Sequence, residues 1–160
     1  KGLALFPRKV RGHYVALSRS DRETNGIAFS DDLYCWDRAT TIQVPDRSWE
    51  ILQLGNCGSP IETEAGWLVL THGVGPMRTY SLGAMLLDLD EPQRVLARTE
   101  EPIIRPGLDR RDGYVPNVIY SCGAVAHNDI LLLPYGIGDQ TMSIATLSID
   151  ELLSSMQAEP

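Results

Sequence analysis

A four-residue apolar run behind a tight turn is written three times along this chain of 160 residues. In the first copy Arg11-Gly12 leads into Tyr14-Val15-Ala16-Leu17 and ends on Ser18-Arg19. In the second, Glu64-Ala65-Gly66 leads into the run from Trp67 to Leu70 and ends on Thr71-His72-Gly73. In the third, Asn128-Asp129 leads into Ile130-Leu131-Leu132-Leu133 and ends on Pro134-Tyr135-Gly136. Runs this short read as strands, and the residues ahead of them suit turns with positive φ. The copies lie about fifty to sixty residues apart, in the range of propeller blades or large solenoid repeats. Another strand follows each copy, at Gly26 to Ser30, Tyr80 to Asp88 and Met142 to Leu147. Repeated antiparallel units close radially to remove their edges, so the pattern predicts an all-β chain of about three propeller blades.

The rest of the chain fits around this frame. Leu3-Ala4-Leu5-Phe6 reads as a strand stopped by Pro7, which cannot donate to a ladder. Strands are also expected at Thr40 to Val44, at Pro60 to Thr63, at Val95 to Ala97 and around Val118-Ile119-Tyr120. Ser30-Asp31-Asp32-Leu33 reads as a turn held by its own side chains, with Trp36 packed back into the core. Glu100 to Pro116 is irregular and long enough to carry function. Near the end, Ser148 followed by Glu151 forms a capping box, and Leu152, Leu153 and Met156 share one helical face. A short terminal helix is predicted from Ile149 to Gln157.

Composition narrows the function. The net charge of −7 and pI near 4.9 argue against a nucleic-acid or anionic-membrane partner, since both need a basic face. No run approaches the ~20 apolar residues of a membrane span. No signal peptide is visible, and a cytoplasmic location is expected. The three cysteines, Cys35, Cys57 and Cys122, lack zinc-site spacing and read as buried thiols of a reducing compartment. The chain opens on Lys1 already strand-like, and three blades do not close a ring. Residues 1–160 are therefore expected to be one portion of a longer propeller domain.

Seven motifs in order resemble glycoside hydrolase family 130, the β-mannoside phosphorylases and related mannosidases. They are L-F-P-R-K-V-R-G-H-Y from Leu5, S-D-D-L-Y-C-W from Ser30 and G-S-P-I-E-T-E-A-G-W-L from Gly58. They continue with T-H-G-V from Thr71, Y-S-L-G-A-M-L-L-D-L-D from Tyr80, V-P-N-V from Val115 and Y-G-I-G-D from Tyr135. The resemblance implies part of a five-bladed β-propeller with a sugar pocket on its axis, and it places this chain as the C-terminal portion, with the N-terminal blades missing. It implies inverting phosphorolysis of β-linked mannosides with release of mannose 1-phosphate. Inorganic phosphate is then the co-substrate, with no other cofactor and no metal. The partners implied are a mannose-containing oligosaccharide and phosphate, with a homo-oligomer left open.

By the same resemblance the catalytic aspartic acid of the family has no counterpart here, so no catalytic residue is assigned and the isolated chain is expected to be inactive. Lys1 and Arg19 match phosphate-binding positions. His72, Tyr135 and Asp139 match substrate-binding positions. Glu62 is a candidate second carboxylate of the pocket, where an inverting hydrolase needs a base. One departure matters. Many phosphorolytic members carry His just before the Arg, where this chain has Ser18, which leaves hydrolysis open. A non-catalytic carbohydrate-binding propeller is the third reading. The repeat supplies a separate argument: Arg19, His72 and Tyr135 fall at one repeat position, so they are expected to converge beside the axis.

Overall fold

Alternation with a period of two decides the architecture. In the strand grown from the second copy, Trp67 and Val69 face one way and Leu68 and Leu70 the other, and all four are buried. A strand buried on both faces needs a layer on each side. The first and third copies supply those layers. The computed structural model describes residues 2–107 and 114–159. The first sheet runs in the order β1 (Ala4–Leu5), β2 (Tyr14–Ser18), β3 (Asn25–Ser30) and β4 (Thr40–Gln43). The second comprises β5 (Gln53–Asn56), β6 (Ile61–Thr63), β7 (Gly66–Gly75), β8 (Thr79–Leu87) and β9 (Val95–Arg98). The third comprises β10 (Ile119–Tyr120), β11 (Val125–His127), β12 (Ile130–Ile137) and β13 (Thr141–Ser148). All strand pairings in the three sheets are antiparallel.

Two cores bind the sheets. Phe6, Val15, Leu17 and Ile27 of the first meet Trp67, Val69, Met85 and Leu87 of the second. On the opposite face Leu68, Leu70, Leu82 and Ala84 meet Leu131 and Leu133 of the third. The three antiparallel sheets stack face to face as blades of a β-propeller. Helix α1 (Ile149–Ser155) follows, and Ser148 caps it by accepting from the Glu151 backbone N–H. The helix ends at Ser155 with Met156 as its C-cap, so Gln157 leaves the expected helix and joins β14 (Gln157–Ala158), which pairs with β9.

Three expectations are corrected. Strand β7 does not end at Thr71-His72-Gly73 but continues to Gly75. Gly73 is there for close approach and not for a bend: a Cβ would stand 2.5 Å from the Trp49 ring, which lies against this strand. Trp36 is not in the core. It sits half-buried in the loop after β3, its indole N–H donating to the Leu33 carbonyl at 3.0 Å. Of the cysteines only Cys57 is buried; Cys35 and Cys122 are exposed. The long irregular stretch is described except at residues 108–113, which lie outside the described residues.

Candidate active site

Arg19 emerges just past β2 and reaches across to the middle of β7. Its Nη1 lies 3.4 Å from His72 Nε2, and its Nη2 donates to the Arg22 carbonyl at 2.5 Å. Its Nε is buried without a hydrogen-bond partner, and no carboxylate among the described residues forms an ion pair with it. A half-buried guanidinium without a counter-ion is costly, and an arriving anion relieves that cost.

The approach is possible because residue 55 is glycine. Gly55 pairs with His72 across β5 and β7. A Cβ at Gly55 would stand 2.6 Å from Arg19 Nε and 2.8 Å from His72 Cε1. Next to it, Asn56 Nδ2 donates to the Gly2 carbonyl at 2.7 Å, which ties the start of the chain to this place. Lys1 itself lies outside the described residues.

His72 is 2% exposed. Its ring lies between Tyr120, with centroids 5.0 Å apart, and Tyr80, stacked at 6.4 Å. Cys57 Sγ lies 3.6 Å from Nδ1. With an arginine N–H facing Nε2, the neutral tautomer carries its proton on Nδ1. Burial first, and the Arg19 charge second, push the His72 pKa down to about 4. His72 is thus a neutral acceptor at neutral pH and leaves the Arg19 charge unbalanced.

That depression has a sign. The free side chain titrates near 6.5 and the folded one near 4. The stability held by the neutral form is complete above pH 6.5 and is lost as pH falls through about 4. The loss should total ~3 kcal/mol in urea unfolding between those limits. His72→Gln should flatten this part of the pH profile. An unchanged profile would show that folding does not perturb His72.

Tyr80 and Tyr120 also line a cleft of about 580 Å³ with Arg78, Asn117 and Asp139. Asp139 occupies the Gly138-Asp139 turn between β12 and β13, with φ of 60° and 54° at its two central residues. That is a type I′ hairpin turn. The cleft therefore joins a carboxylate, an arginine and two aromatic faces that rest on the His72 ring.

Two predicted site residues lie elsewhere. Tyr135 sits on the same side of β12 as Leu131 and Leu133 and packs into the core between the second and third sheets. In the second copy the side of β7 that carries Leu68, Leu70 and His72 faces the following sheet, whereas in the third the side that carries Leu131, Leu133 and Tyr135 faces back toward the second sheet, so the third copy is offset by one residue. The rings against His72 are those of Tyr80 and Tyr120. Glu62 is paired with Arg8, whose Nε donates to Oε2 at 2.9 Å, on the exposed flank of β6. It is opposite Trp67 in the ladder, five residues from His72, or roughly 16 Å along the strand. Sequence reasoning missed Gly55, Arg78, Tyr80 and Tyr120. Tyr80 opens a quoted motif and Tyr120 lies just past another, but nothing local marks them as neighbours. It also missed Glu50, buried near Arg98 Nη1 at 3.5 Å, whose burial pushes its pKa up to about 7.

The fold is that of a β-propeller, and the Arg19–His72 pair adjoins, through the Tyr80 and Tyr120 rings, a cleft with a carboxylate and an arginine in its wall. Residues 1–158 match the family described as glycoside hydrolase 130, beta-1,4-mannooligosaccharide phosphorylase. The chain belongs to glycoside hydrolase family 130. It is 39% identical over 154 residues to a 1,2-beta-oligomannan phosphorylase of Thermoanaerobacter sp., covering 95% of this chain and 52% of that protein. It is 41% identical over 153 residues to a beta-1,2-mannobiose phosphorylase of the same organism, covering 95% and 51%. The structure of a beta-1,2-mannobiose phosphorylase from Listeria innocua, in complex with beta-1,2-mannobiose, superposes with a TM-score of 0.85 at 35% identity, over 97% of this chain and 46% of that one. The chain thus spans about half the length of the relatives it matches. The expectation that the chain is the C-terminal portion of the domain is not borne out.

Proposed function

We propose that the complete protein is a β-mannoside phosphorylase and that this chain supplies its phosphate seat and one sugar-binding wall. The observation that carries this reading is Arg19, half-buried, with an orphan Nε–H and without a carboxylate partner among the described residues. A guanidinium fork suits a phosphate, and His72, kept neutral, neither competes for the anion nor repels the cation. Tyr80 and Tyr120 offer ring faces to a pyranose, Asp139 accepts from sugar hydroxyls, and Arg78 donates to them.

In the reaction a phosphate oxygen attacks the anomeric carbon of the terminal mannosyl unit. The bond from that carbon to the glycosidic oxygen breaks, and the leaving oxygen takes a proton from an acid outside this chain. The products are mannose 1-phosphate and a sugar shortened by one unit. Arg19 holds the charged nucleophile in line, which lowers the entropic and desolvation cost of attack. The relatives named for β-1,2 linkages support that linkage here.

Ser18 ahead of Arg19 favours a second reading, in which water replaces phosphate. One assay separates the two. The complete protein is given β-1,2-mannobiose or β-1,4-mannobiose, with and without phosphate. Phosphate-dependent release of mannose 1-phosphate from the β-1,2 substrate is expected. Equal turnover without phosphate, yielding only mannose, would replace phosphorolysis by hydrolysis.

A further inference from the structure

Cys57 is a buried thiol that the reaction above does not use. It follows β5 directly, and its backbone N–H donates to the carbonyl of Leu70 at 2.9 Å, two residues before His72 on β7. A Cβ at Gly58, the next residue, would stand 2.6 Å from the Cys122 carbonyl oxygen, so this turn is pressed against the segment after β10 and the sulfur is pinned. Burial, chiefly, pushes the Cys57 thiol up to about 12, while the Ser121 backbone N–H and the Arg19 charge act the other way. Cys57 therefore stays a neutral thiol, unsuited to be a nucleophile. Its Sγ lies 3.6 Å from His72 Nδ1, a bonding distance for so large an atom. On the other edge of the ring Arg19 Nη1 faces Nε2 at 3.4 Å, so the ring proton sits on Nδ1 and, being buried, needs an acceptor. A carboxylate in that place would favour an imidazolium, which would repel Arg19. A thiol sulfur accepts the proton without adding charge. The Asn56 carbonyl also acts on the ring, in the sense that favours protonation, so loss of the sulfur weakens the hold rather than abolishing it.

We propose that Cys57 is a positioning residue of the anion seat: its sulfur accepts the Nδ1–H of His72, holds the ring with Nε2 turned to Arg19, and so aims the guanidinium at phosphate. Cys57 touches neither phosphate nor sugar in this role. The aim at phosphate rests on the reading of Arg19 given above, whereas the hold on the ring does not.

The test uses the complete protein with its histidines labelled with nitrogen-15. At neutral pH the nitrogen shifts of His72 should show the proton on Nδ1. Cys57→Ala should speed exchange of that ring proton with water by at least ~10-fold. It should also raise the KM for phosphate ~5-fold, the worth of one neutral hydrogen bond, with the KM for β-1,2-mannobiose within ~2-fold. Cys57→Ser keeps an acceptor on a shorter bond and should fall between the two. Leu131→Val, a loss of packing in the same core, should leave ring-proton exchange and both KM values within ~2-fold. A proton on Nε2, or unchanged exchange in Cys57→Ala, would overturn the proposal. So would Leu131→Val reproducing both effects, which would make the role one of packing alone. Faster exchange with an unchanged phosphate KM would leave the sulfur its hold on the ring and overturn its part in the anion seat. Turnover independent of phosphate would remove the anion seat itself, and the exchange rates would still report whether the sulfur holds His72.

Discussion

In the complete protein, Arg19→Ala is expected to raise the KM for phosphate by about 100-fold, or ~2.7 kcal/mol, and to leave the KM for sugar within about threefold. The guanidinium stands 3.4 Å from the His72 ring with one N–H unpaired, so its loss removes charge from the proposed anion seat while the lining of the proposed sugar cleft is unchanged. Arg19→Lys keeps a charge but loses the planar fork, and its phosphate KM should rise only ~10-fold. A second readout is independent of turnover. Because the Arg19 charge is one of the causes that lower the His72 pKa, Arg19→Ala should raise it, as followed by the ring-proton shifts of His72. A rise in the sugar KM equal to that for phosphate would remove Arg19 from the anion seat. Loss confined to sugar binding would point to the hydrolytic reading.

Trp67→Ala should cost about 4 kcal/mol of unfolding free energy, the largest stability effect of any single change in the first core. Trp67 is 0% exposed, its ring meets that of Phe6 edge-on at 5.0 Å, and its indole N–H donates to the Leu89 carbonyl at 3.1 Å. Truncation opens a cavity between the first two sheets and strips the part-buried Leu89 carbonyl of its donor. Trp67→Phe refills most of the volume but not the hydrogen bond, and should cost ~1–2 kcal/mol. Since domains of this size have about 5–15 kcal/mol in hand, the alanine variant should show a clearly lower urea midpoint with an unchanged slope. A loss under ~1 kcal/mol would mean that the first and second sheets are not held by this residue.

The strands were legible because their signals are local. The turns at Arg11-Gly12, Glu64-Ala65 and Asn128-Asp129 stand where the residues place them, and the capping Ser148 starts the helix. Three sheets follow from three copies. His72 and Arg19 were found together because both repeat copies present them on the same strand face. Tyr135 was misplaced because an alignment of apolar runs has no way to see a one-residue offset, which in a strand exchanges the two faces. Glu62 was misplaced because its partner, Arg8, is 54 residues away.

By itself the sequence determined the repeat, the all-β class, the family and the arginine and histidine of the site. These rest on periodicity and turn chemistry, which act between near neighbours. The tertiary structure alone decided that Gly55 is a gap for two side chains and that Tyr120 rather than Tyr135 meets His72. Those outcomes depend on distances between strands from different copies. Burial of the His72 ring, which lowers its pKa, is likewise a property of three segments that meet only when the sheets pack.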